Sequence, residues 1–79
     1  MVIVKTNLQE SDGSSESWND HEFELNEAQV AALLSSDLIE YPRAHPTGIS
    51  SVTAKLIGKE FSLYNFKKPH WKLTFRLVE

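Results

Sequence analysis

"ISSVTAKLIGKEFSLYNF", residues 49–66, reads as two alternating runs separated by Gly58 and Lys59. Val52, Ala54 and Leu56 occupy even positions, whereas Phe61 and Leu63 occupy odd ones. Side chains alternate faces along a strand, so the two sets share a face only if the chain shifts its phase by one residue between them. A two-residue type II′ turn with glycine first supplies that shift. The sequence therefore predicts a hairpin at Gly58-Lys59, with Leu56 opposite Phe61, Ala54 opposite Leu63 and Val52 opposite Asn65.

Downstream, "HWKLTFRLV" (70–78) alternates again, with Trp71, Leu73, Phe75 and Leu77 on one side. To join Phe61 and Leu63 in a common core, Phe61 is set opposite Phe75 and Leu63 opposite Leu73, with Phe66 opposite His70 around a Lys67-Lys68-Pro69 loop. The same register sets Glu60 against Arg76, Ser62 against Thr74 and Tyr64 against Lys72, pairs that contribute about 0.2–1 kcal/mol each.

The other face then carries Thr53, Lys55, Ser62, Tyr64, Phe66, His70, Lys72, Thr74 and Arg76. Rings beside cations are the residue mix with which sheet surfaces stack bases and hold phosphates. An ordinary solvated sheet has the same composition, because aromatic residues and threonine favour strands and lysine suits exposed faces. Tyr64, Phe66, His70, Lys72 and Arg76 are the candidate partner-binding residues. The glycine-aromatic signature of ribonucleoprotein-type domains is absent.

Upstream, "LNEAQVAALLSSD" predicts a helix over residues 27–36. Asn26 caps it, Gln29 returns the capping-box bond, and Val30, Ala31, Leu33 and Leu34 form its apolar stripe. "VIVKTNL" and "SWNDHEFEL" read as strands joined by the polar loop "QESDGSSES" (9–17), which has the composition of a long, mobile connection. Phe23 and Leu25 face the core, and Asp20, Glu22 and Glu24 form a row of carboxylates on the other side. "DLIEYPRAHPTG", with two prolines and a glycine, predicts an irregular extended crossing.

The composition bounds the rest. Seventy-nine residues make one domain, with a core that leaves about 3–5 kcal/mol of net stability. The absence of cysteine excludes disulfides and thiolate metal sites and suits a reducing cytoplasm. The N-terminal apolar run is too short for a signal peptide, and no stretch is long enough to span a bilayer, so no membrane association is expected. The net charge of −3 is unevenly spread: nine carboxylates face Lys5 alone in residues 1–40, and seven basic side chains face two carboxylates thereafter. Such polarity suits a nucleic-acid surface, an acidic mimic of nucleic acid, or two halves that neutralise each other.

Catalytic chemistry is not indicated. His21, His45 and His70 lie on separate elements without metal-ligand spacing, Asp20 and Glu22 alternate as solvated strand residues do, and no serine has a nucleophile-elbow context. No catalytic residue, metal or cofactor is expected. The chain is read as one α+β domain (1–79), ordered β-β-α-β-β-β, with a mostly antiparallel sheet covered on one face by the helix. The expected core holds Phe61, Leu63, Trp71, Leu73, Phe75, Val30, Leu33, Leu34, Phe23 and Leu25. The expected function is a small non-catalytic protein-binding regulator or inhibitor, of the kind phages and mobile elements encode. The alternative is nucleic-acid binding through the basic and aromatic face; a homodimer is compatible with both.

Overall fold

The structure is a computed structural model that describes residues 1–64 and 66–78, with His45 described through its backbone alone. Strands β1 (Val2–Gln9) and β2 (His21–Leu25) are followed by helix α1 (Glu27–Ser35) and by strands β3 (Ile39–His45), β4 (Gly48–Ser62) and β5 (His70–Leu77). They form one curled mixed sheet in the order β2-β1-β5-β4-β3. Three of its pairings are antiparallel; β1 and β5, at its centre, run parallel. Among the described residues no helix is long and apolar enough to cross a membrane.

The Gly58-Lys59 hairpin does not form. β4 runs straight through it for 15 residues, with a bulge between Leu56 and Gly58. A bulge adds one residue to one strand of a pair, so it shifts the phase as the turn would have done. Ala54 and Leu56 still share a face with Phe61, now opposite Leu77, Phe75 and Trp71 on β5. The chain turns instead at Pro46-Thr47, where Gly48 takes a φ of 144° that side-chain-bearing residues rarely adopt. The expected pairs change accordingly: Glu60 faces Lys72, Ser62 faces His70, Gly58 faces Thr74 and Lys55 faces Arg76. Val52 faces Tyr41, and its expected partner Asn65 lies outside the described residues.

The expected irregular crossing is strand β3, proline included. β3 is an edge strand, and in an antiparallel strand the N and C=O of one residue point to the same side. The Pro42 carbonyl points outward, where it accepts from His21 Nε2 at 3.0 Å, so the missing N–H costs the ladder nothing. Two residues on, the outward N–H of Ala44 donates to Asn19 Oδ1 at 2.8 Å. Asn19 is buried at the end of a single 3-10 turn, Ser17–Asn19, which replaces the first part of the expected second strand. The curl thus brings the β3 edge onto residues 19–21, and side chains close the seam.

Tyr41 is the largest side chain in the core, 1% exposed. Its ring stands 5.4 Å from Phe75 and 5.6 Å from His21. Its hydroxyl donates to the Asn19 carbonyl at 2.7 Å, which leaves Thr6 Oγ1, 2.8 Å away, to donate to Tyr41. Burial pushes the Tyr41 phenol above its ordinary pKa. Val4, Leu8, Val30, Ala54, Leu73 and Phe75 complete the core, with Leu25, Leu33, Leu34 and Trp71 partly buried against it. The helix cap is as the sequence predicts: Gln29 N–H donates to Asn26 Oδ1 at 2.8 Å, and Asn26 N–H to Gln29 Oε1 at 2.9 Å.

Two expected core residues are exposed, and a third, Phe23, is half-buried and stands outside the core cluster. Phe61 is 46% exposed and Leu63 64%, because the observed register carries Phe61 past Leu73 to the end of the β4-β5 ladder, and Leu63 lies beyond it. The loop over residues 10–16 is tied down. Glu10 N–H donates to Ser14 O, Asp12 Oδ1 accepts from the Ser14 amide and hydroxyl, and Arg43 Nη2 meets Glu10 Oε1 at 2.6 Å.

Candidate functional site

The five candidate residues do not share a surface. Lys72 and Arg76 project from β5 on the sheet face opposite the helix, as expected, and both are exposed. Lys72 completes a row across four strands, Glu22, Lys5, Lys72 and Glu60, in which Lys5 Nζ lies 3.9 Å from Glu22 Oε1. Two adjacent cations are therefore flanked by two carboxylates. Arg76 Nη2 donates to the Ser11 carbonyl at 3.3 Å. With Arg43 on Glu10, two basic side chains of the second half are engaged by the acidic loop of the first, so part of the sequence polarity is neutralised within the fold.

His70 is on the same face but only 8% exposed, packed between Ile3 and Ser62. Its Nδ1 donates to the Lys68 carbonyl at 3.2 Å, and its Nε2 is buried without a partner among the described residues. Its first role is to fasten the loop that precedes β5.

Tyr64 and Phe66 are not on the sheet. Strand β4 ends at Ser62, which places both rings in the 63–69 connection, where Tyr64 is 98% exposed and Phe66 80%. Phe61 and Leu63 continue the same end, and Phe61 stands edge-on to Trp71 at 5.1 Å between ring centroids. Four large apolar side chains thus project from the end of the β4-β5 hairpin. Reading Phe61 and Leu63 as core hid half of this cluster. The start of β5 at His70 is legible in the sequence but does not reveal the cluster by itself: it is the register, in which His70 pairs with Ser62 and not with Phe66, that leaves no partner for residues beyond Ser62.

The carboxylates Glu22 and Glu24 are exposed on β2, as the alternation predicts, and Asp20 precedes that strand. His21 faces the core side between Phe23 and Tyr41, away from these carboxylates. A shallow polar concavity lies over the outer face, lined by Lys5, Asn7, Gly58, Glu60, Lys72 and Thr74 among others.

Compared with protein-family models, curated proteins and solved structures, the chain matches none, and the site stands on its geometry.

Proposed function

We propose that this protein is a small non-catalytic protein-binding regulator or inhibitor that engages its partner with the end of the β4-β5 hairpin. Four exposed side chains within six residues of chain, Phe61, Leu63, Tyr64 and Phe66, carry this reading. In a domain this short of apolar surface for its own core, leaving four large apolar side chains in water opposes solubility, and such patches recur where partners bind. Aromatic anchors buried at an interface contribute more than charges at its rim. Lys72 and Arg76, the cations of the candidate set, lie on the sheet face apart from Tyr64 and Phe66 and have carboxylates or a loop carbonyl beside them, whereas Lys67 and Lys68 share the connection with the two rings. That arrangement weighs for a protein partner over a nucleic acid.

The test is affinity capture from cells of the source organism, with and without nuclease. A partner that survives nuclease, is lost with Tyr64→Ser plus Phe66→Ser, and is largely retained with Lys72→Glu plus Arg76→Glu is the expected result. Capture that disappears with nuclease, or follows the charge reversals, refutes it.

A further inference from the structure

Strand β4 outruns one of its neighbours. β3 pairs with it from Gly48 to Ala54, and β5 pairs with it from Ala54 to Ser62. Past Ala54, the side of β4 turned away from β5 meets no strand, and no backbone hydrogen bond outside the ladders reaches it among the described residues. The bulge interrupts this edge at Ile57, leaving Gly58–Ser62 as a regular run. Unpaired N–H and C=O groups at strand spacing are a template that another extended chain matches.

The side chains narrow the occupant. Lys59 opposes Leu73 and Phe61 opposes Trp71, so both project on the helix side of the sheet. Phe61 offers a half-exposed ring backed by Trp71. Lys59 is exposed and forms no ion pair among the described residues. A strand laid on this edge therefore meets an unneutralised ammonium and an apolar ring two residues apart on one face.

A second copy fits this edge poorly. Two-fold antiparallel pairing preserves faces, so the register centre falls on a single residue and its copy. Centring on Lys59 or Glu60 sets like charges directly opposite, which is destabilising. Centring on Phe61 sets Lys59 against apolar Leu63, and centring on Gly58 drives the two bulges together. The edge is guarded against itself and open to a chain with a different pattern.

We propose that the Gly58–Ser62 edge of β4 is a strand-addition site for an extended segment of another protein, with a carboxylate opposite Lys59 and a large apolar side chain opposite Phe61. This rests on the protein-binding reading above and supplies its mode: main-chain hydrogen bonds along the edge, with Tyr64 and Phe66 flanking its end.

The probe is a capped, fluorescently labelled octapeptide alternating valine and threonine, with a glutamate and a phenylalanine two positions apart. It is titrated into the full chain by anisotropy and mapped by amide chemical shifts. Two isomers carry N-methyl groups on alternate amides, each blocking one peptide edge. Saturable binding is expected, with shifts centred on Gly58–Ser62, and one isomer weaker by about tenfold or more while the other matches the parent. Lys59→Glu is expected to weaken the glutamate peptide, and exchanging its glutamate for lysine to restore binding. Absence of binding, equal binding by both isomers, or shifts that leave Gly58–Ser62 unmoved overturns the proposal. If that happens while cellular capture is still lost with Tyr64→Ser plus Phe66→Ser, strand addition falls and the protein-binding reading stands.

Discussion

Replacing Tyr41 by phenylalanine deletes one buried oxygen and tests the seam that closes the curled sheet. The hydroxyl donates to the Asn19 carbonyl and accepts from Thr6, so two hydrogen bonds go at once. Thr6 has a fallback in the His21 carbonyl, 3.4 Å from its Oγ1, but the carbonyl of the buried Asn19 loses its Tyr41 donor. At about 0.5–1.5 kcal/mol net per bond, Tyr41→Phe is expected to cost about 1–3 kcal/mol. In a domain of this size each kcal/mol lowers the melting midpoint by about 4–8 °C. Denaturant unfolding followed by tryptophan fluorescence reads the change, and a cycle with Thr6→Val isolates the coupling between the two hydroxyls. An unchanged midpoint, or a double mutant whose loss is the sum of the singles, refutes the account of the seam.

The same phenol predicts a response to alkali. Its folded pKa is raised, chiefly by burial, so the unfolded chain releases this proton first, from near its ordinary value of 10.0, and stability falls as pH rises beyond that point; Tyr41→Phe is expected to flatten the fall, and equal alkaline loss in both proteins contradicts it. Phe75→Ala, at a fully buried site, is expected to cost about 3–5 kcal/mol and leave little or no folded protein by circular dichroism; a cooperative native-like melt argues against Phe75 as a core anchor. Asn26→Ala removes the capping-box acceptor and is expected to cost about 0.5–2 kcal/mol, read as a lower urea midpoint, with no change refuting the cap. Gly58→Ala is expected to be tolerated, since an added Cβ meets Thr74 Cβ at an ordinary 3.6 Å, and deleting Ile57, the extra residue of the bulge, is expected to leave a regular ladder with every flanking side chain on its face. Inserting one alanine after Gly58 instead sends one side of the strand to the wrong face and should destabilise strongly; equal stability of the deletion and insertion variants, measured by thermal melts, refutes the parity argument.

The parity of residues 52–61 was legible because it depends only on which side chains must share a face. The device that shifts the phase was not, because a glycine-led turn and a bulge answer the same requirement; β5 decides between them by pairing with β4 as far back as Ala54. Pro42 concealed β3, since a proline is excluded from a strand only where its nitrogen faces a neighbour, and which side is open depends on the whole sheet order. Helix α1 was readable to within a residue because Asn26 and Gln29 act locally. At the candidate site, Lys72 and Arg76 kept their predicted face, being tied to the alternation of β5. Tyr64 and Phe66 did not, because a period of two says nothing about where a strand stops. Trp18 offers no local clue either: it lies in the 3-10 turn, 60% exposed.

The parallel pairing of β1 with β5 has a kinetic consequence. The two central strands come from opposite ends of the described chain, from Ile3 with His70 to Gln9 with Arg76. As the chain leaves a ribosome, β1 has only the short β2 to lean on until the last strand emerges. Val4 and Leu8 then wait in water, and the β1-β2 and β3-β4 pairs are joined only when β5 arrives between them. Closing so long a loop before any contact repays it makes folding slow for a chain of this length. During that delay Val2–Gln9 presents an open apolar edge, the kind of transiently unpaired strand that favours aggregation over folding.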